Sequence, residues 1–162
     1  MCNWTVITWT RQMLAGLPPR EDVVEFGSAN YNGSVRSLFP PGVPYWGIDI
    51  RDGDGVDEIA DAATYKPPKP PDTVICNSLL EHTPDADLVV FNAWQILGPG
   101  GVLLLVAPCD PWPPHSFDGG ALKDGEHYSN VSEAQMLDWA SMFTDKRVWR
   151  SWDNLLCMVG VK

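Results

Sequence analysis

The stretch that decides the fold is residues 72–108, which read DTVICNSLLEHTPDADLVVFNAWQILGPGGVLLLVAP. It contains two apolar runs of strand length, 73–77 and 102–107. A strand without alternating polar residues is typical of a parallel sheet that is covered on both faces. Thr83-Pro84-Asp85 predicts a helix start between the two runs, and Gly98-Pro99 predicts where that helix ends. Two buried strands joined by a helix therefore predict a parallel sheet.

The alternation of helices and strands extends upstream of this stretch. Apolar residues recur at helical spacing over 4–15, and a short helix is predicted over 34–39. Apolar runs predict strands at 22–28, 43–50 and 56–60.

The downstream part predicts a helix and a closing hairpin. Ser132 and Gln135 have the spacing of a capping box at a helix start. Strands are predicted at 148–152 and 155–161, joined by a turn at Asp153-Asn154. The chain is therefore predicted to be an α/β protein, a Rossmann-like three-layer sandwich. Its mostly parallel sheet is predicted to carry an antiparallel C-terminal edge strand.

The length of 162 residues predicts one domain over residues 1–162. The proline-dense segment 66–71 is too short to be a domain linker. Within the domain we expect an N-terminal helical segment over 1–20 and an irregular loop over 109–130. Long irregular stretches are usually functional, and this loop is expected to cover one side of a binding site.

Charge and hydropathy restrict the classes of partner and compartment. The formal net charge is −10, and Lys and Arg are scattered, so binding to nucleic acid is disfavoured. The sequence has no signal-peptide pattern and no apolar run approaching ~20 residues. We therefore expect a cytoplasmic protein that does not span a membrane.

The cysteines and the acidic turn do not predict a metal site. Cys2, Cys76, Cys109 and Cys157 are widely spaced, which supports neither a zinc nor a disulfide framework. The acidic cluster around Asp52 lacks the pattern of a calcium loop and is interpreted as a solvated turn.

Small and acidic residues follow the first predicted strand, at the edge where α/β sheets bind ligands. The sequence there is Glu25-Phe26-Gly27-Ser28, with Gly33 farther on. A glycine at a strand terminus allows the backbone to approach a ligand closely. Glu25 would repel a pyrophosphate, but it suits a cationic ligand that carries an amino group.

Two further acids follow the second and third predicted strands. Asp49 lies about 20 residues after Gly27, the spacing at which an acid binds a ribose diol in nucleotide-binding units. The alternative is a solvated acid at a strand end. Asp61 stands between Ala60 and Ala62, either at a ligand site or as the cap of a following turn.

Residues 22–108 resemble the class I S-adenosylmethionine-dependent methyltransferases of the type 11-like group. Glu25-x-Gly27 matches the start of that family's acid-x-Gly-x-Gly-x-Gly motif, with Ala29 and Tyr31 at the later glycine positions and Gly33 as a displaced last glycine. The fourth-strand region carries the family's Leu-Glu-His signature at 80–82 and its Pro-Gly-Gly signature at 99–101.

The resemblance implies that S-adenosylmethionine is the cofactor and that residues at the strand ends bind it. Asp61 is expected at the adenine amino group, and Asn77 and Ser78 near the acceptor entry. His82 is expected to orient the loop or to touch the cofactor. The full set of expected cofactor-binding residues is Glu25, Gly27, Ser28, Gly33, Asp49, Ile50, Asp61, Ala62, Asn77, Ser78 and His82.

The resemblance also implies transfer of a methyl group, here to an expected small-molecule acceptor, since no inserted domain is present to hold a large one. A catalytic base is required only for a poor nucleophile. His115 and His127, in the irregular loop 109–130 that is expected to cover the acceptor side, are the candidate bases. The alternative interpretation is that each is only a surface residue of that loop. Two other functions stay open, a catalytically degenerate domain that binds S-adenosylmethionine or a partner, and an NAD-binding Rossmann domain. The sequence lacks the Gly-x-Gly-x-x-Gly motif that NAD-binding domains carry, and Glu25 also argues against the NAD hypothesis.

Overall fold

The fold is that of a computed structural model, which describes residues 3–162. The strands are β1 (Val23–Phe26), β2 (Tyr45–Asp49), β3 (Glu58–Ile59), β4 (Thr73–Asn77), β5 (Val102–Pro108), β6 (Asp145–Arg150) and β7 (Leu155–Val161). The helices are α1 (Trp4–Ala15), α2 (Ala86–Ile96) and α3 (Glu133–Ala140), with 3-10 turns at Arg36–Leu38 and Leu80–His82.

All seven strands belong to one sheet, in the order β3-β2-β1-β4-β5-β7-β6. The first five of these are mutually parallel, whereas β7 is antiparallel to both β5 and β6. The predicted Rossmann-like α/β class is confirmed. The antiparallel strand β7 lies second from the edge of the sheet, and β6 is the edge strand on that side. Strand order reverses between β1 and β4, which opens a crevice at their carboxyl ends.

Two apolar layers cover the sheet. One layer joins α2 and α3 to the side chains of Val24, Phe26 and their neighbours on the same face. The other joins α1 to the opposite face, through Val6 and Met13. Every residue of β4 and β5 is buried, as the apolar runs predicted.

Several boundaries differ from the sequence predictions. The segment predicted as a helix over 34–39 forms only a 3-10 turn. The second helix begins at Ala86, with Asp85 as its N-cap residue, and the Thr83 hydroxyl accepts from the backbone N–H of Asp85 at 3.1 Å just before it. The third strand is limited to two residues, and β6 begins at Asp145 rather than at Val148.

The predicted capping box at the start of α3 is confirmed. Ser132 and Gln135 make both hydrogen bonds of a capping box at the start of α3. Residues 109–130 form neither helix nor strand. The thiols of Cys76, Cys109 and Cys157 are buried, and Cys2 lies outside the described residues. None of the helices within residues 3–162 combines the length and the apolar character needed to cross a bilayer.

Gly160 is a position in β7 where added volume should destabilise the fold. A Cβ at this position would lie 2.6 Å from Cγ of Phe143, whose buried ring covers the glycine. We expect Gly160→Ala to lower the free energy of unfolding by roughly 1–3 kcal/mol, as overpacking does. Urea denaturation followed by tryptophan fluorescence measures the change.

The matched control is Gly16→Ala after α1, where a Cβ would meet only the carbonyl oxygen of Met13 at 3.6 Å. This variant should stay within about 0.5 kcal/mol of the parent. Equal stability of the two variants would show that the Phe143 ring can move aside at no cost.

Candidate functional site

A cavity of about 290 Å³ lies at the carboxyl ends of β1, β2 and β4, where the strand order reverses. We call it the strand-end cavity. Of the residues predicted to bind the cofactor, it is lined by Gly27, Asp49, Ile50, Asp61, Ala62 and His82. Residues from four separate predicted motifs thus meet at one place.

Gly27 forms the floor of the strand-end cavity. Its backbone has φ 75°, and a Cβ would lie 3.2 Å from Cβ of Leu79. A side chain at this position would be both strained and crowded, which explains the requirement for glycine.

Asp49 presents its carboxylate to the cavity in a fixed orientation. Its Oδ1 accepts from the backbone N–H of Arg51 at 3.0 Å, and its Oδ2 accepts from that of Ala29 at 3.4 Å. Each oxygen retains a further acceptor site for a ligand. The two hydrogen bonds therefore orient the carboxylate and leave both oxygens able to accept a further hydrogen bond.

Asp61 and Ala62 lie on the opposite wall, in a segment that α2 anchors. Asn92, buried in α2, donates from Nδ2 to the carbonyl oxygens of Ala62 at 2.8 Å and Tyr65 at 2.9 Å. The carboxylate of Asp61 is exposed, and its Oδ1 accepts from the backbone N–H of Ala63 at 2.9 Å.

The structure does not bring Glu25 to the wall of the strand-end cavity. Its side chain lies on the α1 face of the sheet, where the Tyr45 hydroxyl donates to Oε2 at 2.7 Å. Burial raises the pKa of Glu25 to about 7, against the opposing effects of the Tyr45 hydrogen bond and the Arg36 charge.

Three other predicted residues also lie away from the strand-end cavity. Ser28 is buried, and its hydroxyl packs against the backbone of Gly47. The backbone N–H of Gly33 donates to Oδ1 of Asn30, within the loop. Asn77 donates to the Thr10 hydroxyl at 2.9 Å, because alternate residues of β4 face α1.

A second cavity of about 280 Å³ lies beside the first and is lined in part by Ser78, Glu81, Trp112 and His115. We call it the neighbouring cavity. It contains one of the two candidate bases, His115, which comes from the irregular loop. His127 is exposed and lines a depression that shares His82, Arg51 and Phe117 with the strand-end cavity but lies outside the neighbouring cavity.

Side chains of the Leu-Glu-His signature stand between the two cavities. His82 lines the strand-end cavity, whereas Glu81 lines the neighbouring one. Burial, with a smaller effect from His115, lowers the pKa of His82 to about 4, so its imidazole is neutral at pH 7. Burial raises the pKa of Glu81.

A family model described as a methyltransferase domain matches residues 5–157. The chain belongs to the methyltransferase-domain family. The expected class I, S-adenosylmethionine-dependent methyltransferase is thereby confirmed, with S-adenosylmethionine as its cofactor. A search of curated protein sequences finds no match.

Solved methyltransferase structures share the fold at low sequence identity. The N-methyltransferase NodS from Bradyrhizobium japonicum, in complex with S-adenosylhomocysteine, superposes with a TM-score of 0.64 at 12% identity, covering 98% of this chain and 87% of that one. A DhpI–S-adenosylhomocysteine complex gives 0.66 at 19% identity, covering 96% and 83%. A methyltransferase from Thermotoga maritima gives 0.64 at 14% identity, covering 96% and 89%.

The strand-end cavity of this methyltransferase fits an adenosyl ligand. Gly27 leaves room for close approach, Asp49 offers oriented acceptors to a diol, and apolar side chains such as Leu79 and Val89 can cover a purine. The alternatives of an NAD-binding or a catalytically degenerate domain are not favoured.

The methyltransferase also has cavity residues that the sequence analysis did not single out as ligands. The Arg51 guanidinium lies 3.8 Å from the centroid of the Phe117 ring, and Tyr31 packs edge-on against the same ring at 5.2 Å. These three side chains form a wall of the strand-end cavity. The one available signal was the bulky Tyr31 at a glycine position of the family motif.

Proposed function

We propose that this methyltransferase transfers a methyl group to a small molecule bound in the neighbouring cavity. The observation that carries this proposal is the adjacency of the two cavities. The chain segment 78–82 contributes Leu79 and His82 to one cavity and Ser78 and Glu81 to the other. S-adenosylmethionine, when bound, supplies an activated methyl group. The protein has to align donor and acceptor and to exclude water.

In this proposal the strand-end cavity holds the cofactor through residues with different tasks. Asp49 accepts hydrogen bonds from the ribose hydroxyls, and Asp61 accepts one from the adenine amino group. Ile50, Ala62 and His82 contact the adenosyl group.

The predicted residues that lie off the cavity act indirectly in the same proposal. Glu25 and Ser28 support the backbone beside Gly27, Gly33 shapes the loop, and Asn77 fixes the end of β4 to α1. Ser78 and the irregular loop 109–130 form the acceptor side of one domain over residues 1–162.

His115 is the better placed of the two candidate bases. Its Nδ1 lies 3.0 Å from the carbonyl oxygen of Pro113. Because a carbonyl only accepts, Nδ1 carries the proton, and Nε2 has the free lone pair. His127 stays the second candidate, and its exposure outside the neighbouring cavity favours a smaller effect on transfer.

The charge and the cysteines support the proposed setting. A net charge of −10 disfavours nucleic acid as the methyl acceptor. Buried thiols at Cys76, Cys109 and Cys157 are consistent with a reducing, cytoplasmic compartment.

Calorimetric titration tests the cofactor part of the proposal. We expect S-adenosylhomocysteine to bind with one site per chain, and NAD to give no heat above dilution. Transfer of a labelled methyl group is then measured with mixtures of small amines, alcohols and carboxylic acids, and separately with protein and RNA. Label in the small-molecule fraction is the expected result. Label confined to protein or RNA would overturn the proposed acceptor class.

A further inference from the structure

We propose that Glu81, His82 and His115 form a binding site for one divalent transition-metal ion, preferentially Zn²⁺. The site lies between the strand-end cavity and the neighbouring cavity. One ligand atom from each of the three side chains lies within 4.8 Å of the other two. The two histidines come from separate parts of the chain and meet only in the fold.

The distances are close to those of a bound ion. Oε1 of Glu81 lies 3.7 Å from Nε2 of His82. Ligand bonds of ~2.0–2.2 Å in tetrahedral geometry place ligand atoms roughly 3.5 Å apart. The Glu81–His82 pair therefore needs almost no change. His115 lies within 4.8 Å of both partners, so its distances have to shorten by no more than roughly 1.3 Å to reach tetrahedral spacing.

The two imidazoles have nitrogens available for a metal ion. Nε2 of His82 is buried and has no hydrogen-bond partner among the described residues. His115 donates from Nδ1 to the carbonyl oxygen of Pro113, an outer contact that is typical of histidine ligands. That contact leaves the lone pair of Nε2 free for coordination. In the metal-bound protein this nitrogen is a ligand, so the role of a base proposed for His115 applies only to the metal-free protein.

Neighbouring groups hold the two imidazoles and the backbone of Glu81 in place. The ring of Tyr128 packs against His82 at 5.6 Å and against His115 at 4.7 Å between centroids. The backbone N–H of Ser129 donates to the carbonyl oxygen of Glu81 at 2.9 Å. Both contacts come from the irregular loop, so the loop closes the cluster.

The donor set favours zinc over magnesium or calcium. Two imidazoles and one carboxylate are the protein ligands of many catalytic zinc sites, whereas hard cations prefer oxygen ligands. The sequence predicted no metal site because the only cluster visible there was the acidic turn. In that turn Asp57 pairs with Arg36, and Asp54 accepts from Asn30.

The position of the site suggests its use, and this step rests on the proposed function. Glu81 and His115 line the neighbouring cavity, so an acceptor bound there can reach the fourth coordination position. An oxygen donor of the acceptor would occupy it beside the cofactor. The acceptor class narrows to small molecules with a hydroxyl or carboxylate group near the methylated atom.

Titration of the metal-free, untagged protein with Co²⁺ tests the site. We expect one Co²⁺ per chain, with visible d–d absorption that Zn²⁺ abolishes by competition. His115→Ala should weaken Co²⁺ binding by at least tenfold, comparable with known effects of changes around metal sites. The matched control is His127→Ala, which removes the exposed imidazole and should leave the absorption unchanged.

Two outcomes would overturn the site. One is the absence of d–d absorption, and the other is equal Co²⁺ affinity in the parent and His115→Ala. S-adenosylhomocysteine affinity, measured on the same samples, separates this inference from the proposed function. Intact cofactor binding without Co²⁺ binding removes the metal site alone. Co²⁺ binding without cofactor binding removes the proposed function and leaves the metal site.

Discussion

Replacing Asp49 by alanine is expected to weaken the binding of S-adenosylhomocysteine by about a hundredfold, or ~2.7 kcal/mol. The two carboxylate oxygens are oriented by the backbone N–H groups of Arg51 and Ala29. In our proposal these oxygens accept hydrogen bonds from both ribose hydroxyls. A hydrogen bond to a charged group contributes about 1.5–3 kcal/mol to binding. Isothermal titration calorimetry measures the loss.

Two further variants make this result specific to the carboxylate. Asp49→Asn keeps one acceptor oxygen and should lose about tenfold, an intermediate effect. Asp52→Ala removes the same charge from an exposed turn position and should bind like the parent. If Asp49→Ala and Asp52→Ala bind equally well, the ribose contact is not made by Asp49.

Replacing Asn92 by aspartate is expected to lower the free energy of unfolding by about 3 kcal/mol or more. The shape of the side chain is preserved, but a carboxylate cannot donate to the carbonyl oxygens of Ala62 and Tyr65. Two carbonyls lose their buried partner, and a negative charge faces them. Because Ala62 lines the strand-end cavity, cofactor affinity should fall as well.

Gln95→Glu is the matched control for Asn92→Asp. Gln95 is exposed one turn later on α2, and its Oε1 lies 3.3 Å from Nζ of Lys66, which also donates to Asn92. This variant adds the same charge without removing a buried donor, so its urea midpoint should match the parent. A parental midpoint in Asn92→Asp would mean that the 62–65 segment does not depend on this anchor.

The sequence was sufficient for the parts of the fold that are encoded locally. The strands at 73–77 and 102–107 were predicted because a continuous apolar run can be buried on both faces only within a covered sheet. The capping box of Ser132 and Gln135 was predicted because its two hydrogen bonds depend on a fixed spacing. The start of α2 was predicted less exactly, because both Thr83 and Asp85 are residue types that can precede a helix as its cap, and the structure uses Asp85.

The candidate site was predicted where its residues follow strand ends. Asp49 and Asp61 meet at one cavity because parallel strands terminate at the same edge of the sheet. Glu25 was expected there too, but alternation along β1 turns its side chain to the other face. Phe117 and His115 could not be placed, because an irregular loop has no periodicity that fixes which residue reaches the cavity.

The margins of the sheet have a consequence for how the protein behaves at high concentration. On one side the outermost strand, β3, has only two residues, too few to template a further strand. On the other side β6 exposes Asp145, Lys146, Arg147 and Arg150. Ionised side chains along a border strand discourage backbone pairing between molecules. Both edges of the sheet are thus protected against edge-to-edge aggregation, β3 by its short length and β6 by its charged side chains.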